Sequence, residues 1–226
     1  MKLHSVSEDA MMLYLGEGAD PATAARVQSA VSVVEHCLGE DLVDLVPSYA
    51  SLLIIYDAAR SNHLSIARRL RKALARLPTD TAAESRTVVL PVHYSAATGA
   101  DLAPLAARAG LSTQQVIDLH SATEYRVYAI GFAPGFAYLG QVDERIAAPR
   151  MATPRAHVPA GTVAIADRQT AVYPAASPGG WNLIGCCPTP MFDPFANPCM
   201  PVTVGDRVRF EPIDRERFLA LGGQLP

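Results

Sequence analysis

Lysine is almost missing from this chain. Lys2 and Lys72 are the only two in 226 residues, and no glycine-rich loop ends in Lys-Ser or Lys-Thr. That excludes a Walker-type nucleotide site, where a lysine must reach the phosphates. The Gly-x-Ser-x-Gly turn that exposes a hydrolase serine is absent too. Six histidines are scattered without metal-ligand spacing, so no metal site is expected. The four cysteines, Cys37, Cys186, Cys187 and Cys199, make neither a zinc pattern nor a disulfide framework and read as reduced structural thiols, with a nucleophilic or redox role as the alternative. Cys186 and Cys187 would point to opposite faces of a strand. No apolar run approaches the roughly 20 residues of a spanning helix, and residues 1–9 carry a lysine, two acids and no apolar core, unlike a signal peptide. A cytoplasmic location is the expectation. With 18% charged residues and a net charge of −3, nothing electrostatic calls for nucleic acid or an anionic membrane.

What the chain does have is glycine, proline and aromatics concentrated in two short stretches. Residues 131–140 read Gly-Phe-Ala-Pro-Gly-Phe-Ala-Tyr-Leu-Gly, and 177–181 read Ser-Pro-Gly-Gly-Trp. Proline removes a backbone donor and glycine costs backbone entropy, so both stretches are expected to be shaped loops. Phe132, Phe136, Tyr138 and Trp181 replace the small polar residues of a solvated loop. Together with Pro134, Gly135, Ser177, Gly179 and Gly180 they suggest a rigid wall for a ligand or partner, with backbone donors at hand.

The N-terminal part alternates strand and helix. Met11 to Leu15 is a short apolar run; Asp20-Pro21 caps a helix with Val27, Val31, Val34 and Leu38 on one face, ended by Gly39. Leu42 to Val46 and Leu52 to Tyr56 read as strands. Ala67, Leu70, Leu74 and Leu77 form one face of a second helix, with Arg68, Arg69, Arg71 and Lys72 as its solvated side. Thr87 to Val92 closes the unit as a last strand. The order β-α-β-β-α-β predicts a ferredoxin-like α/β sandwich over residues 1–90. Beyond it, Asp101 caps a helix stopping at Gly110, and Ser112 with Gln115 makes a capping box for another. Short strands at Tyr125 to Ile130, Thr162 to Ala166, Thr170 to Tyr173, Leu183 to Cys187 and Arg207 to Glu211 predict a barrel over residues 91–226. The class is therefore α+β.

Four groups stand out as chemistry. Arg150 and Arg155, each after a proline, present planar forks on restricted backbone, suited to carboxylate or phosphate; a surface ion pair is the plain alternative. His120 is either a proton shuttle or a structural histidine. Gln169, Thr170 and Tyr173 lie on one strand, Gln169 and Tyr173 on a shared face. They are either a hydrogen-bonding edge for an amide-like ligand or ordinary barrel structure.

Leu119-His120-Ser121 with Tyr125, the 131–140 stretch, Pro149-Arg150, Pro154-Arg155, Val158-Pro-Ala-Gly161, Gln169-Thr170, Tyr173-Pro174 and Ser177–Trp181 with Ile184-Gly185 occur in one order along the chain. In this the sequence resembles the allophanate hydrolase subunit 1 family, which includes the B subunit of bacterial ATP-dependent 5-oxoprolinase and the Kip inhibitor of sporulation kinase A. The resemblance covers essentially the whole chain. It implies a cyclophilin-like β-barrel, a small-molecule substrate, ATP as cosubstrate of the complex, an obligatory C-type (subunit 2) homologue as partner and a third 5-oxoprolinase subunit. The isolated chain is expected to be inactive. It also leaves open a regulator of a sensor histidine kinase and a component of an allophanate- or urea-processing system. Cys186, where relatives carry a basic or polar residue, and Asp167-Arg168, where they carry a glycine-rich turn, depart from the family pattern.

Overall fold

The computed structural model describes residues 1–18, 20–75, 77 and 86–225. The chain divides into two compact units, Met1–Ser85 and Arg86–Pro226. Among the described residues no helix is long and apolar enough to cross a membrane.

In the first unit, strands β1 (Lys2–Ser5), β2 (Ala10–Tyr14), β3 (Leu42–Pro47) and β4 (Ser51–Tyr56) form an antiparallel sheet ordered β1-β2-β4-β3. Two helices accompany it, α1 (Pro21–Leu38) and α2 (His63–Leu74). Each starts on a side-chain cap: Asp20 accepts the Thr23 N–H at 2.9 Å and Asn62 that of Ser65 at 3.0 Å, satisfying donors the helix itself cannot. Val27, Ala30, Val34 and Leu38 of α1 and Ile66, Ala67, Leu70 and Leu74 of α2 close over Leu13, Leu52, Ile54 and Tyr56 in a single core. The cationic side of α2 is a solvated face, with Arg68, Arg71 and Lys72 exposed. Arg69 alone turns back, pairing with Asp41 and donating to the Cys37 and Leu38 carbonyls. There its charge offsets the negative end of α1.

The predicted closing strand is elsewhere. β5 (Thr87–Val92) runs parallel to β13 (Arg207–Pro212) in the second unit, and β1 holds the sheet edge next to β2. Alternation of apolar residues fixes which face of a strand is buried but not which sheet receives it.

The second unit continues with α3 (Leu102–Ala109), α4 (Thr113–Ala122), β6 (Glu124–Ile130), β7 (Ala137–Gly140), β8 (Arg155–Val158), β9 (Thr162–Ala166), β10 (Gln169–Val172), β11 (Ser177–Gly179), β12 (Asn182–Cys186) and, after β13, α5 (Arg215–Ala220). Seven strands lie in the order β12-β9-β10-β7-β6-β13-β5, and β11 and β8 make a separate ribbon. The large sheet curls into a half-barrel whose edges meet where His93 and Cys186 exchange backbone hydrogen bonds of 2.8 and 3.0 Å.

The last four residues of the 131–140 stretch depart from their expected loop character. A tight turn closes between Gly131 and Phe136 (3.1 Å), after which β7 enters the middle of the sheet between β6 and β10. Ala137 and Leu139 face the core, and Gly140 is accommodated because the Tyr128 ring occupies the space a Cβ would need (3.1 Å to Cε2). β11 likewise turns Ser177–Gly179 into a short strand.

Both faces of the curled sheet carry apolar residues. Inward, Val127, Leu139, Ile165, Val172, Val208 and Phe210 pack with Leu102, Leu105 and Val116. Outward, Ala164, Ala166 and Ala171 lie beneath Phe136, Tyr173, Trp181 and Leu183.

Candidate functional site

The two aromatic stretches, more than forty residues apart in sequence, come together on the outer face of β9 and β10. Phe136 meets Tyr173 edge-on at 5.3 Å and Trp181 at 5.6 Å, and Tyr138 lies 4.9 Å from Phe136. Alanines at 164, 166 and 171 make this stacking fit, since larger side chains would lift the rings off the sheet. The cluster is packed rather than hollow: Phe136, Tyr173 and Trp181 are each no more than 5% exposed. At its rim Phe132 is 70% exposed with φ 73°, Pro134 is exposed, and Gly135 is pressed against the Met191 carbonyl. The sequence pattern anticipates a wall; the structure supplies a small second core with an exposed rim.

Arg150 stands on that rim. Its guanidinium sits 5.7 Å from the centre of the Trp181 ring, and among the described residues no carboxylate pairs with it. Arg155 differs. It begins β8 and holds Asp101 at 2.7 Å, with both side chains largely enclosed, while Asp101 also accepts the Leu183 N–H at 2.7 Å. Asp101 heads α3 as expected, yet its carboxylate caps nothing there; it ties α3 to β8 and β12. Arg155 is thus held in an ion pair, more enclosed than the surface pair of its plain alternative, whereas Arg150 lies against the Trp181 ring.

Tyr173 lies between these arginines. Burial pushes its phenol upward, opposed by the neighbouring Trp181 backbone N–H and by the Arg150 and Arg155 charges. Gly179 makes the placement possible: a Cβ there would stand 2.3 Å from the Tyr173 oxygen. Gly179 faces Arg155 and Ser177 faces Val158 in the β11–β8 ribbon. Gly180 accepts the Met151 N–H at 2.7 Å, and Asn182 donates to the Pro149 and Ile165 carbonyls at 3.0 Å each. These bonds lock the Arg150 segment onto the Trp181 loop. Gln169 shares the outer face and is half-buried.

Thr170 and His120 belong to the other face. His120 is fully buried, stacked on Phe210 at 4.6 Å. Thr170 Oγ1 donates to the Ala164 carbonyl at 3.0 Å, so it receives the His120 Nε2 proton at 2.9 Å, and Nδ1 accepts the Tyr94 hydroxyl at 2.8 Å. The chain Tyr94 to His120 to Thr170 to Ala164 is fully satisfied with a neutral ring, and burial lowers the His120 pKa to about 3. An enclosed imidazole with both nitrogens engaged joins α4 to the sheet, which favours the structural of the two readings of His120.

Two recesses flank the paired ends of β9 and β12, sharing Ala160 and Cys186 in their walls. One, of about 570 Å³, is lined by Arg155, His157, Thr98, Leu183 and Cys186 among others; the second, of about 300 Å³, has Tyr173, Gly161 and Cys186 in its wall. Burial pushes the Cys186 thiol up to about 11, so it lines them as a small neutral group. Asp101, Thr98 and His157 carry no sequence signal of this role, because nothing in their local pattern separates them from a cap, a turn and an exposed strand residue.

This arrangement recurs in known proteins. Residues 1–202 match the model of the carboxyltransferase domain, subdomain C and D. The chain belongs to this family. The B subunit of 5-oxoprolinase from Bacillus subtilis (strain 168) is 37% identical over 229 residues, covering 97% of the chain and 95% of the relative. Its counterpart from Escherichia coli O157:H7, also a 5-oxoprolinase B subunit, is 42% identical over 172 residues, 76% of the chain and 78% of the relative. The crystal structure of TTHA0988 superposes with a TM-score of 0.82 at 36% identity, covering 97% of the chain but 41% of that longer protein. The carboxyltransferase-domain relationship therefore spans both units, and the expected resemblance to the allophanate hydrolase subunit 1 group holds through the 5-oxoprolinase relatives.

Proposed function

We propose that the chain is the B subunit of an ATP-dependent 5-oxoprolinase, acting with a C-type homologue and a third subunit to convert 5-oxoproline to L-glutamate. One observation carries this reading: identity to a 5-oxoprolinase B subunit extends through 97% of the chain and 95% of that relative. Within it, the first unit is a ferredoxin-like sandwich in which β1 takes the place of the closing strand, and the second is a cyclophilin-like barrel. The strand orders of the two sheets support both assignments.

The lactam carbonyl is a poor electrophile, and ATP supplies the phosphoryl group that activates it. Both lysines fall outside the barrel unit, and no group of three His, Cys, Asp or Glu among the described residues is placed to hold a metal ion. In this reading the nucleotide is held by another member of the complex. The contribution of this chain is to bind and orient. Arg150 takes the substrate carboxylate or the negative charge developing at the carbonyl oxygen, where a fixed donor acts without reorganisation. Trp181, held against Phe136, fixes the guanidinium from below. The half-buried Gln169 lies on the same face, and Phe132 stands exposed at its rim. Arg155 with Asp101 positions the ribbon.

The test is glutamate release from 5-oxoproline by the reconstituted complex. Arg150→Ala is expected to lower kcat/KM by about 10²–10³-fold; undiminished turnover removes Arg150 from the site. A wild-type complex that ignores 5-oxoproline but consumes urea or allophanate overturns the substrate.

A further inference from the structure

Arg126 is the one described residue with a buried side-chain nitrogen that finds no hydrogen-bond partner: its Nε is enclosed and unsatisfied. Leaving a charged donor so placed is costly, and such a group calls for an explanation. Its neighbours Tyr125 and Val127 point into the barrel core, so Arg126 projects from the outer face. There it lies directly opposite Gly140 of β7 and Arg207 of β13, beside the Tyr128 ring that covers Gly140.

The charges around it do not neutralise it. Glu124 is held by Arg207 at 2.6 Å, Glu211 by Arg217 at 3.5 Å and Asp206 by Arg86 at 3.1 Å. Two arginines on this face remain without a carboxylate among the described residues, Arg126 and Arg209. Arg209 is exposed and opposite Glu124, which sets it diagonally from Arg126 across β6 and β13. Next to it, Val89 of β5 leaves 52% of its surface to solvent.

We propose that the outer face of β6, β13 and β5 docks an extended acidic segment of a second protein, with Arg126 taking one carboxylate and Arg209 the next. Diagonal cross-strand positions lie about 7–8 Å apart, close to the spacing of about 6.6 Å between residues i and i+2 of an extended chain. Arg126 and Arg209 stand on adjacent strands of one sheet face, an arrangement that suits a strand-like segment. Val89 gives the segment an apolar contact at its far end. The inference rests on the reading of the chain as one member of a complex, which supplies the occasion for a partner.

A docking anchor and a structural residue respond oppositely to truncation. Arg126→Met removes an unsatisfied buried donor from the free chain, so its thermal midpoint is expected to hold or rise. Its affinity for the C-type homologue, measured by titration calorimetry, is expected to fall about tenfold or more. Arg209→Met falls less, and Arg168→Met, at an arginine paired with Glu144, leaves affinity unchanged. Wild-type affinity in Arg126→Met, or a clear loss of thermal stability in place of affinity, overturns the proposal while leaving the 5-oxoprolinase reading intact. Should the wild-type chain not bind that homologue, the 5-oxoprolinase reading fails, and a hexaglutamate peptide decides the docking face alone. Binding lost in Arg126→Met keeps the proposal; binding unaltered ends it. Self-association that disappears in Arg126→Met identifies a second copy as the occupant and overturns the partner assigned here.

Discussion

The outer face of the half-barrel is finished differently at its two sides. Over β9 and β10 the strands carry alanines, and the chain folds Phe136, Tyr173 and Trp181 back over them to make a second core. Over β6, β13 and β5 the same face carries arginines and Val89, and no described segment packs a second core on them. Small residues on a sheet leave room for a cap, whereas long charged ones occupy that room and keep it hydrated or paired. The first side is where the protein has closed its own surface. The second is where it has left one open.

The most severe way to break the closed side is Trp181→Ala. Trp181 is 5% exposed and touches Phe136, Tyr138 and Arg150, so the loss should be about 3–5 kcal/mol, read by chemical denaturation. A loss below about 1 kcal/mol means the rings do not form a core. Asp101→Asn strips the charge opposing Arg155 in a largely enclosed pair while keeping an acceptor for Leu183. About 1–3 kcal/mol is expected, and a double-mutant cycle with Arg155→Met should show coupling; strict additivity would dissolve the pair.

Gly179→Ala sharpens the comparison by testing fit alone. The added methyl meets the Tyr173 hydroxyl and should cost about 1–3 kcal/mol. Tyr173→Phe, by deleting that oxygen, should recover part of it. If the Gly179→Ala cost is the same in both backgrounds, the contact is not what the glycine serves.

The interior beneath both sides makes a pH prediction. The folded pKa of His120 is about 3, below its ordinary 6.5, so between those values the unfolded chain binds the proton and the folded chain does not. Stability therefore falls as pH drops from about 6.5 toward 3, by at most about 1.4 kcal/mol per unit from this residue. His120→Gln should flatten that slope in denaturation at pH 7 and pH 5. An unchanged slope would mean that the ring protonates in the folded state. Smallest of all, Arg150→Ala should cost about 0.5–1 kcal/mol of stability, because its place is on the rim. A larger loss would make it structural and weaken its role toward substrate.

How much of the molecule is legible in the sequence depends on the range of each interaction. Asp20 and the Ser112–Gln115 box cap their helices with bonds three residues long, so neighbouring residues suffice to place them. The strands at 162–166 and 207–212 show through their apolar patterning. The 137–140 strand does not, because its flanking glycines mimic a loop and its acceptability rests on Tyr128. Asp101 looks like a cap because its partner Arg155 is 54 residues away, and Arg126 gives no signal at all.

By itself the sequence determined the α+β class, most helix ends, the lack of a glycine-rich loop ending in Lys-Ser or Lys-Thr and the two aromatic stretches that had to be structured. Only the tertiary structure decided that β5 joins the second sheet, that the rings pack instead of lining a void, and which arginine is paired. Local caps and periodicities are set by neighbours a few residues apart. The choice of sheet, of ring contact and of counter-charge depends on which distant segments the chain brings to the same face.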